Sequence, residues 1–152
     1  MADLVLRPVA ESDLRTLQRW FHDREIRKRL GGMMPLRAWL HHVTTHADRL
    51  AWMALEKGSA VGLIDLETCA DGTATFAFLV APRLRFRGYG KRVVRALRAR
   101  PEVTDLTSLE GHVEPDNTAA LRCLRAVGFA PRSLEPDEEG FLTLVSPRPA
   151  PQ

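Results

Sequence analysis

Between positions 80 and 91 the chain reads Val-Ala-Pro-Arg-Leu-Arg-Phe-Arg-Gly-Tyr-Gly-Lys, and few folds accommodate that string. The residues before it, Thr73 to Val80, are rich in threonine, aromatic and aliphatic side chains, the composition of a strand. Those after it carry Val93, Val94 and Leu97 at helical spacing. A strand must therefore end, pass through a basic turn with two glycines, and start a helix at once. Backbone N–H groups at a helix start have no intrahelical acceptor, and the macrodipole adds partial positive charge there. Gly88 and Gly90 remove Cβ atoms, which lets the backbone turn tightly and approach an anion. Arg83, Arg85, Arg87, Lys91, Arg92 and Arg95 crowd the same stretch with positive charge. Together these features describe a pyrophosphate site. The third glycine of a dinucleotide fingerprint is missing, and so is the Gly-Lys-Ser/Thr of a P-loop.

The remaining elements fall around this turn. Positions 4–9 read as a first strand. Ser12 is placed to cap a helix carrying Leu14, Leu17 and Phe21, and Gly31-Gly32 interrupts the pattern. Pro35 suits the first turn of a second helix with Leu36, Leu40, Val43 and Ala47 inward. Positions 51–56 and 60–68 form a hairpin about Lys57-Gly58-Ser59, and Asp71-Gly72 turns the chain into the strand ending at Val80. A strand at 107–113, a helix at 118–127 with Asn117 before it, and short strands near 130–134 and 141–145 complete the order β-α-α-β-β-β-α-β-α-β-β. The strand–helix–strand unit around the glycine turn predicts one parallel pair. The fold class is α/β: a mixed, mostly antiparallel sheet of six to seven strands with helices on both faces.

At 152 residues, 45% hydrophobic and 27% charged, the chain suits one domain, expected over 1–146 with a disordered tail at 147–152. No apolar run is long enough to span a bilayer and no signal peptide is visible. Cys69 and Cys123 show no metal-ligand spacing. These readings predict a reduced cytoplasmic protein without a metal or membrane partner. The net charge of +3 suits an anionic cofactor as well as nucleic acid, but no nucleic-acid-binding motif accompanies the basic cluster.

Two blocks carry a resemblance. Arg85-Phe86-Arg87-Gly88-Tyr89-Gly90 resembles the Gln/Arg-x-x-Gly-x-Gly/Ala motif of the GNAT acetyltransferases. Asn117-Thr118-Ala119-Ala120, followed by Gly128-Phe129, is similar to that family's Asn-x-x-Ala motif with its terminal Gly-Phe. The resemblance implies acetyl-CoA as cosubstrate, with its pyrophosphate on Arg85, Arg87, Gly88, Tyr89, Gly90 and Lys91. It implies that Leu79 and Val80 lend backbone groups to the pantetheine arm between splayed parallel strands. Asn117 would bind the pantetheine or cap its own helix.

The chain departs from the family pattern at the proton-transfer positions. The tyrosine that often protonates the departing thiolate is Leu124 here, and the glutamate base of histone-acetylating members is Ala74. An alkylammonium titrates at about 10.4, so a neutral amine has to be generated near neutral pH. His112 and Glu110, alternating on one strand face, and Asp65 and Glu67 on the hairpin are the candidate bases. His112 ranks first and Glu67 second. In ribosomal-protein-acetylating members the base lies five residues before the motif asparagine, and five before Asn117 is His112. Cys123 is the weakest candidate, as an acyl carrier. The expected activity is acetyl transfer to a primary amine, on a small molecule such as an aminoglycoside or on a protein N-terminus. The alternative is a catalytically inactive acyl-CoA-binding regulatory module. Monomer and homodimer both fit.

Overall fold

The computed structural model describes residues 4–147, so the tail from 148 onward lies outside the described residues. Seven strands form one sheet in the order β1-β2-β3-β4-β5-β7-β6. They are β1 Val5–Pro8, β2 Arg49–Glu56, β3 Ser59–Thr68, β4 Thr73–Val80, β5 Ser108–Val113, β6 Ala130–Pro131 and β7 Leu142–Val145. Every neighbouring pair is antiparallel except β4 and β5, which the intervening helices bring side by side in parallel. The mixed sheet and its single parallel pair agree with the sequence reading.

Both faces of the sheet are covered, which explains the continuous burial of Ala51, Trp52, Met53 and Ala54 along β2. Alternate side chains enter different cores. Trp52, Ala54, Ile64, Leu66, Ala74 and Phe76 pack with Val93, Val94 and Leu97 of α4 (Tyr89–Arg98) and Leu124 of α6 (Thr118–Ala126). Ala51, Met53, Leu63 and Leu79 face the N-terminal helices α1 (Leu14–Trp20), α2 (Arg24–Leu30) and α3 (Leu36–Thr45). Leu17, Ile26, Leu36, Trp39, Leu40 and Val43 supply the helical side of that second core.

Several local expectations are corrected. The stretch after Ser12 is two helices, because Asp23 caps a new one by accepting a hydrogen bond from Ile26 N–H at 3.0 Å. Ser12 lies in a 3-10 turn, and the carboxylate that holds its backbone is Asp13, which accepts from Ala10 N–H at 2.8 Å. Ala47 is exposed beyond the end of α3; Trp39 takes the inward position instead. A short helix, α5 (Pro101–Thr104), was not anticipated, although Pro101 at its first position is a readable signal. The strand expected at 130–134 is only the two residues of β6.

Candidate functional site

The parallel ladder between β4 and β5 stops early. It joins Thr73 to Ser108, Ala74 to Leu109, Thr75 to Glu110 and Phe76 to Gly111, and then ends. Beyond that point β4 stays with β3, out to Val80 opposite Gly62. In the same way β5 stays with β7, out to Val113 opposite Leu142. The two strands therefore part in the middle of the sheet, and Ala77 to Val80 have no ladder partner on the β5 side. Leu79 and Val80 lie along this open edge. Gly111 lies beside Phe76 and Leu124, at ordinary contact distance for an added Cβ.

At the end of β4 the chain makes a 3-10 turn at Pro82–Leu84 and enters the glycine loop. Gly88 caps α4 in the left-handed conformation, φ 82°, and supplies no capping side chain. The first helical bond is Arg92 N–H to Gly88 C=O, so the amides of Tyr89, Gly90 and Lys91 point past the helix end. A Cβ on Gly88 would meet nothing within 4 Å. Here the glycine serves the backbone conformation and leaves the approach to those amides open. Gly90 has a different reason. A Cβ there would lie 3.0 Å from Cys123 Sγ, so this glycine lets α4 pack closely on α6.

The side chains of the loop divide between structure and solvent. Arg87 and Lys91 are exposed. The Arg85 guanidinium forms a two-pronged ion pair with Asp23, one arm being Nη1 to Oδ1 at 2.9 Å. Hydrogen bonding from Arg85 holds the Asp23 carboxyl below its ordinary range, and Ile26 N–H adds to this against the opposing effect of burial. The chain's only tyrosine, Tyr89, donates its hydroxyl to Glu56 Oε1 at 2.6 Å, and Arg92 reaches the other oxygen of Glu56 at 2.6 Å. That hydroxyl is committed to the β2–β3 turn. Asn117 caps α6, accepting from Ala120 N–H at 3.3 Å, which is the second of the two roles open to it.

His112 is the first residue of β5 past the ladder, placed at the opening of the gap. It is exposed, and its Nδ1 lies 3.2 Å from Thr143 Oγ1 on β7. Glu110, on the same face, is buried; Arg132 contacts its Oε2 at 2.9 Å and Ser108 donates to the same oxygen at 3.2 Å. Glu67 is exposed and pairs across to Thr75, on the closed half of the sheet two strands away from His112. The structure does not bring those two together. Asp65 takes Arg49 on both oxygens at 2.7 and 2.8 Å and the Trp39 indole N–H at 3.0 Å, which engages both carboxylate oxygens in holding β3 to β2 and α3. Cys123 is buried, and that burial pushes its thiol up to about 11. Leu124 and Ala74 are core residues of the α4/α6 side.

Two features escaped the sequence reading. The first is the reach of α2. Its N-terminal Asp23 is tied to the loop after β4 through Arg85. Near its other end Arg29 binds Glu114 at 2.7 Å and Asp116 at 2.8 Å in the loop after β5, while its Nε holds Glu25 at 2.8 Å. The helix thus links the lips of the two diverging strands. Leu30 and Met33 line a crevice with Leu63, Asp65 and the open half of β4. The second is where the acidic turn between β6 and β7 comes to lie, beside His112. Asp137 organises it by accepting from Glu139 N–H at 3.0 Å and Phe141 N–H at 2.9 Å, and Asp137, Glu138, Glu139 and Phe141 border a cleft with His112. Four acids in five positions, 135 to 139, were the available signal; their destination beside His112 was not. Among the described residues, no cluster of His, Cys, Asp or Glu could hold a metal ion, and no helix is long and apolar enough to cross a membrane.

Comparison with known proteins agrees with this geometry. Residues 3–130 match the family model described as an acetyltransferase (GNAT) domain. YfmK of Bacillus subtilis strain 168, named an uncharacterized N-acetyltransferase, is 33% identical over 135 residues, spanning 89% of this chain and 90% of that protein. The structure of AAC(6')-Ib in complex with paromomycin and acetyl-CoA superposes with a TM-score of 0.78 at 22% identity, covering 97% of this chain and 94% of that one. A spermidine N-acetyltransferase from Vibrio cholerae, solved with CoA and spermine, gives a TM-score of 0.76 at 18% identity over 94% of this chain and 93% of its own. These two likenesses speak for the fold. With the family model covering most of its length, the chain belongs to the GNAT acetyltransferases.

Proposed function

We propose that this protein transfers the acetyl group of acetyl-CoA to a primary amine by direct attack, with His112 as the proton acceptor. One observation carries the reading. The β4–β5 ladder ends at Phe76 and Gly111, with an anion-ready helix start at the far end of one strand and an exposed imidazole at the first free position of the other. The amides of residues 89 to 91 suit the pyrophosphate, with Arg87 and Lys91 adding charge. The open edge of β4 suits the pantetheine amides, and a backbone N–H near Leu79 and Val80 would polarise the thioester carbonyl.

The proton balance fits one imidazole. The ammonium of the acceptor gives up a proton to become a nucleophile, the nitrogen attacks the carbonyl carbon, and the carbon–sulfur bond breaks. The nitrogen loses its second proton as the amide forms. One of the two protons ends on the thiolate and the other in solvent. With Leu124 where a tyrosine often stands and Tyr89 bound to Glu56, the imidazolium or water supplies the thiolate. The acidic turn beside His112 suits an acceptor with positive charge, whether a small-molecule polyamine or aminoglycoside or a basic peptide N-terminus.

The test is turnover of acetyl-CoA with a panel of amines. His112→Ala should lower kcat by about 10²–10⁴-fold with acetyl-CoA affinity unchanged. If Glu67→Gln loses turnover and His112→Ala does not, the base lies on the hairpin. If no amine is acetylated while CoA still binds, the inactive binding-module reading holds.

A further inference from the structure

Phe86 stands unsupported on the phosphate loop. It is 97% exposed, and its backbone sits in the left-handed region at φ 63°. That conformation is unfavourable for a non-glycine residue, and an exposed ring recovers none of the strain by burial. Glycine would relieve the backbone at this position, and an arginine or lysine would be the ordinary way to add solubility. The chain instead spends a strained site on a bare phenyl ring, and strain of this kind marks places where a ligand is met. The ring is flanked by exposed cations, Arg87 beside it and Lys91 in the first turn of α4. The complement of such a surface is a flat aromatic group that carries phosphate. It is also a single platform. Tyr89, the other aromatic of the loop, is turned onto Glu56 and carries Arg92 5.0 Å from its ring centre. A nucleic-acid strand stacks successive bases on several rings, whereas one ring suits one base.

We infer that Phe86 is the stacking platform for the adenine of CoA, with Arg87 and Lys91 meeting the 3′-phosphate of its ribose. This rests on the reading that the amides of residues 89 to 91 hold the CoA pyrophosphate. In CoA that pyrophosphate joins pantetheine to adenosine, so the purine comes within reach of the loop's own side chains. Phe86 lies two residues before the helix cap.

Calorimetric titration of the full chain with CoA and with 4′-phosphopantetheine, which lacks the adenosine, separates this idea from the one beneath it. Phe86→Ala should weaken CoA by between about 5-fold and about 100-fold, the span for one base stacked on an aromatic side chain, and leave 4′-phosphopantetheine unchanged. Phe86→Trp should restore the affinity. Phe86→Gly should lose CoA affinity as the alanine variant does, while its melting temperature holds or rises as the strain is released. Equal CoA affinity in Phe86→Ala and the wild type overturns the proposal and leaves the pyrophosphate reading standing. A lower melting temperature in Phe86→Gly with equal loss of both ligands makes the ring structural and overturns it too. A change from dimer to monomer in Phe86→Ala by sedimentation, with CoA affinity kept, makes the ring a contact between copies and overturns it. Failure of the wild-type chain to bind CoA at all overturns both readings.

Discussion

Asp23 serves two neighbours with one carboxylate: its Oδ2 accepts the Ile26 amide at 3.0 Å, capping α2, and the same group receives the Arg85 guanidinium. Helix α2 and the glycine loop after β4 therefore share a single anchoring residue. Asp23→Asn keeps part of the cap and loses the charge. It should lower stability by about 1 kcal/mol and raise KM for the amine more than it changes kcat. Because Arg85 depresses the Asp23 pKa, the stabilisation is complete above the unfolded value of about 3.9 and is lost as pH falls through the lower folded value. The gap in melting temperature between wild type and Asp23→Asn should be constant from about pH 7 to about pH 5 and close on further acidification. A gap that persists at about pH 2 would assign the effect to packing.

Arg29 closes the other end of α2 by holding three carboxylates, Glu25 through Nε and both Glu114 and Asp116 through Nη1. Lysine can match the charge and cannot match the fork. Arg29→Lys should destabilise the protein by about 1–3 kcal/mol in a denaturant melt. Restored stability in the lysine variant would show that charge alone suffices.

The two loop glycines should fail differently. Gly88→Ala places a methyl group in open space at φ 82°. It should reduce CoA affinity, with a stability loss of roughly 1–2 kcal/mol from backbone strain. Gly90→Ala drives a methyl group onto Cys123 Sγ at 3.0 Å. It should cost about 1–3 kcal/mol through overpacking, and the added change Cys123→Ala should return much of that. Additive losses in the double variant would show that the helices separate by some other contact.

Glu138 and Glu139 are exposed in the turn beside His112. The pair of changes Glu138→Lys and Glu139→Lys should raise KM for a cationic amine several-fold at low salt, with the effect shrinking as ionic strength rises. Acetyl-CoA affinity should be unaffected. A salt-independent change would point to altered turn geometry instead.

The sheet and the glycine loop were readable because their signals are local. Alternation marks each strand, Lys57-Gly58 and Asp71-Gly72 mark the turns, and Gly88 stands where φ must be positive. The family motifs added the gap between β4 and β5. What stayed hidden depends on contacts distant in sequence. Arg29 and Glu114 are 85 positions apart, and nothing near either names the other. The capping role of Asp23 was obscured because the apolar spacing runs on from Leu17 through Phe21 to Ile26 across the break between α1 and α2. Arg85 looked like a phosphate ligand from its motif position, and only the fold reveals that its side chain is turned back to Asp23. Asp65 looked available as a base for the same reason, until Arg49 and Trp39 were seen to occupy it.

The early end of the β4–β5 ladder has a cost that ligand chemistry does not mention. Two strands that part inside a sheet present bare edges where a sheet is normally sealed, and bare edges recruit other extended chains. Natural sheets guard their outer rims with charge, bulges or covering elements; here the exposed rim is internal. The seven residues of α2, fastened to Arg85 on one lip and to Glu114 and Asp116 on the other, sit where such a guard is needed. The same short helix that ties the two lips together thus stands as a barrier to self-association, and loosening either fastening should make the protein more prone to aggregate.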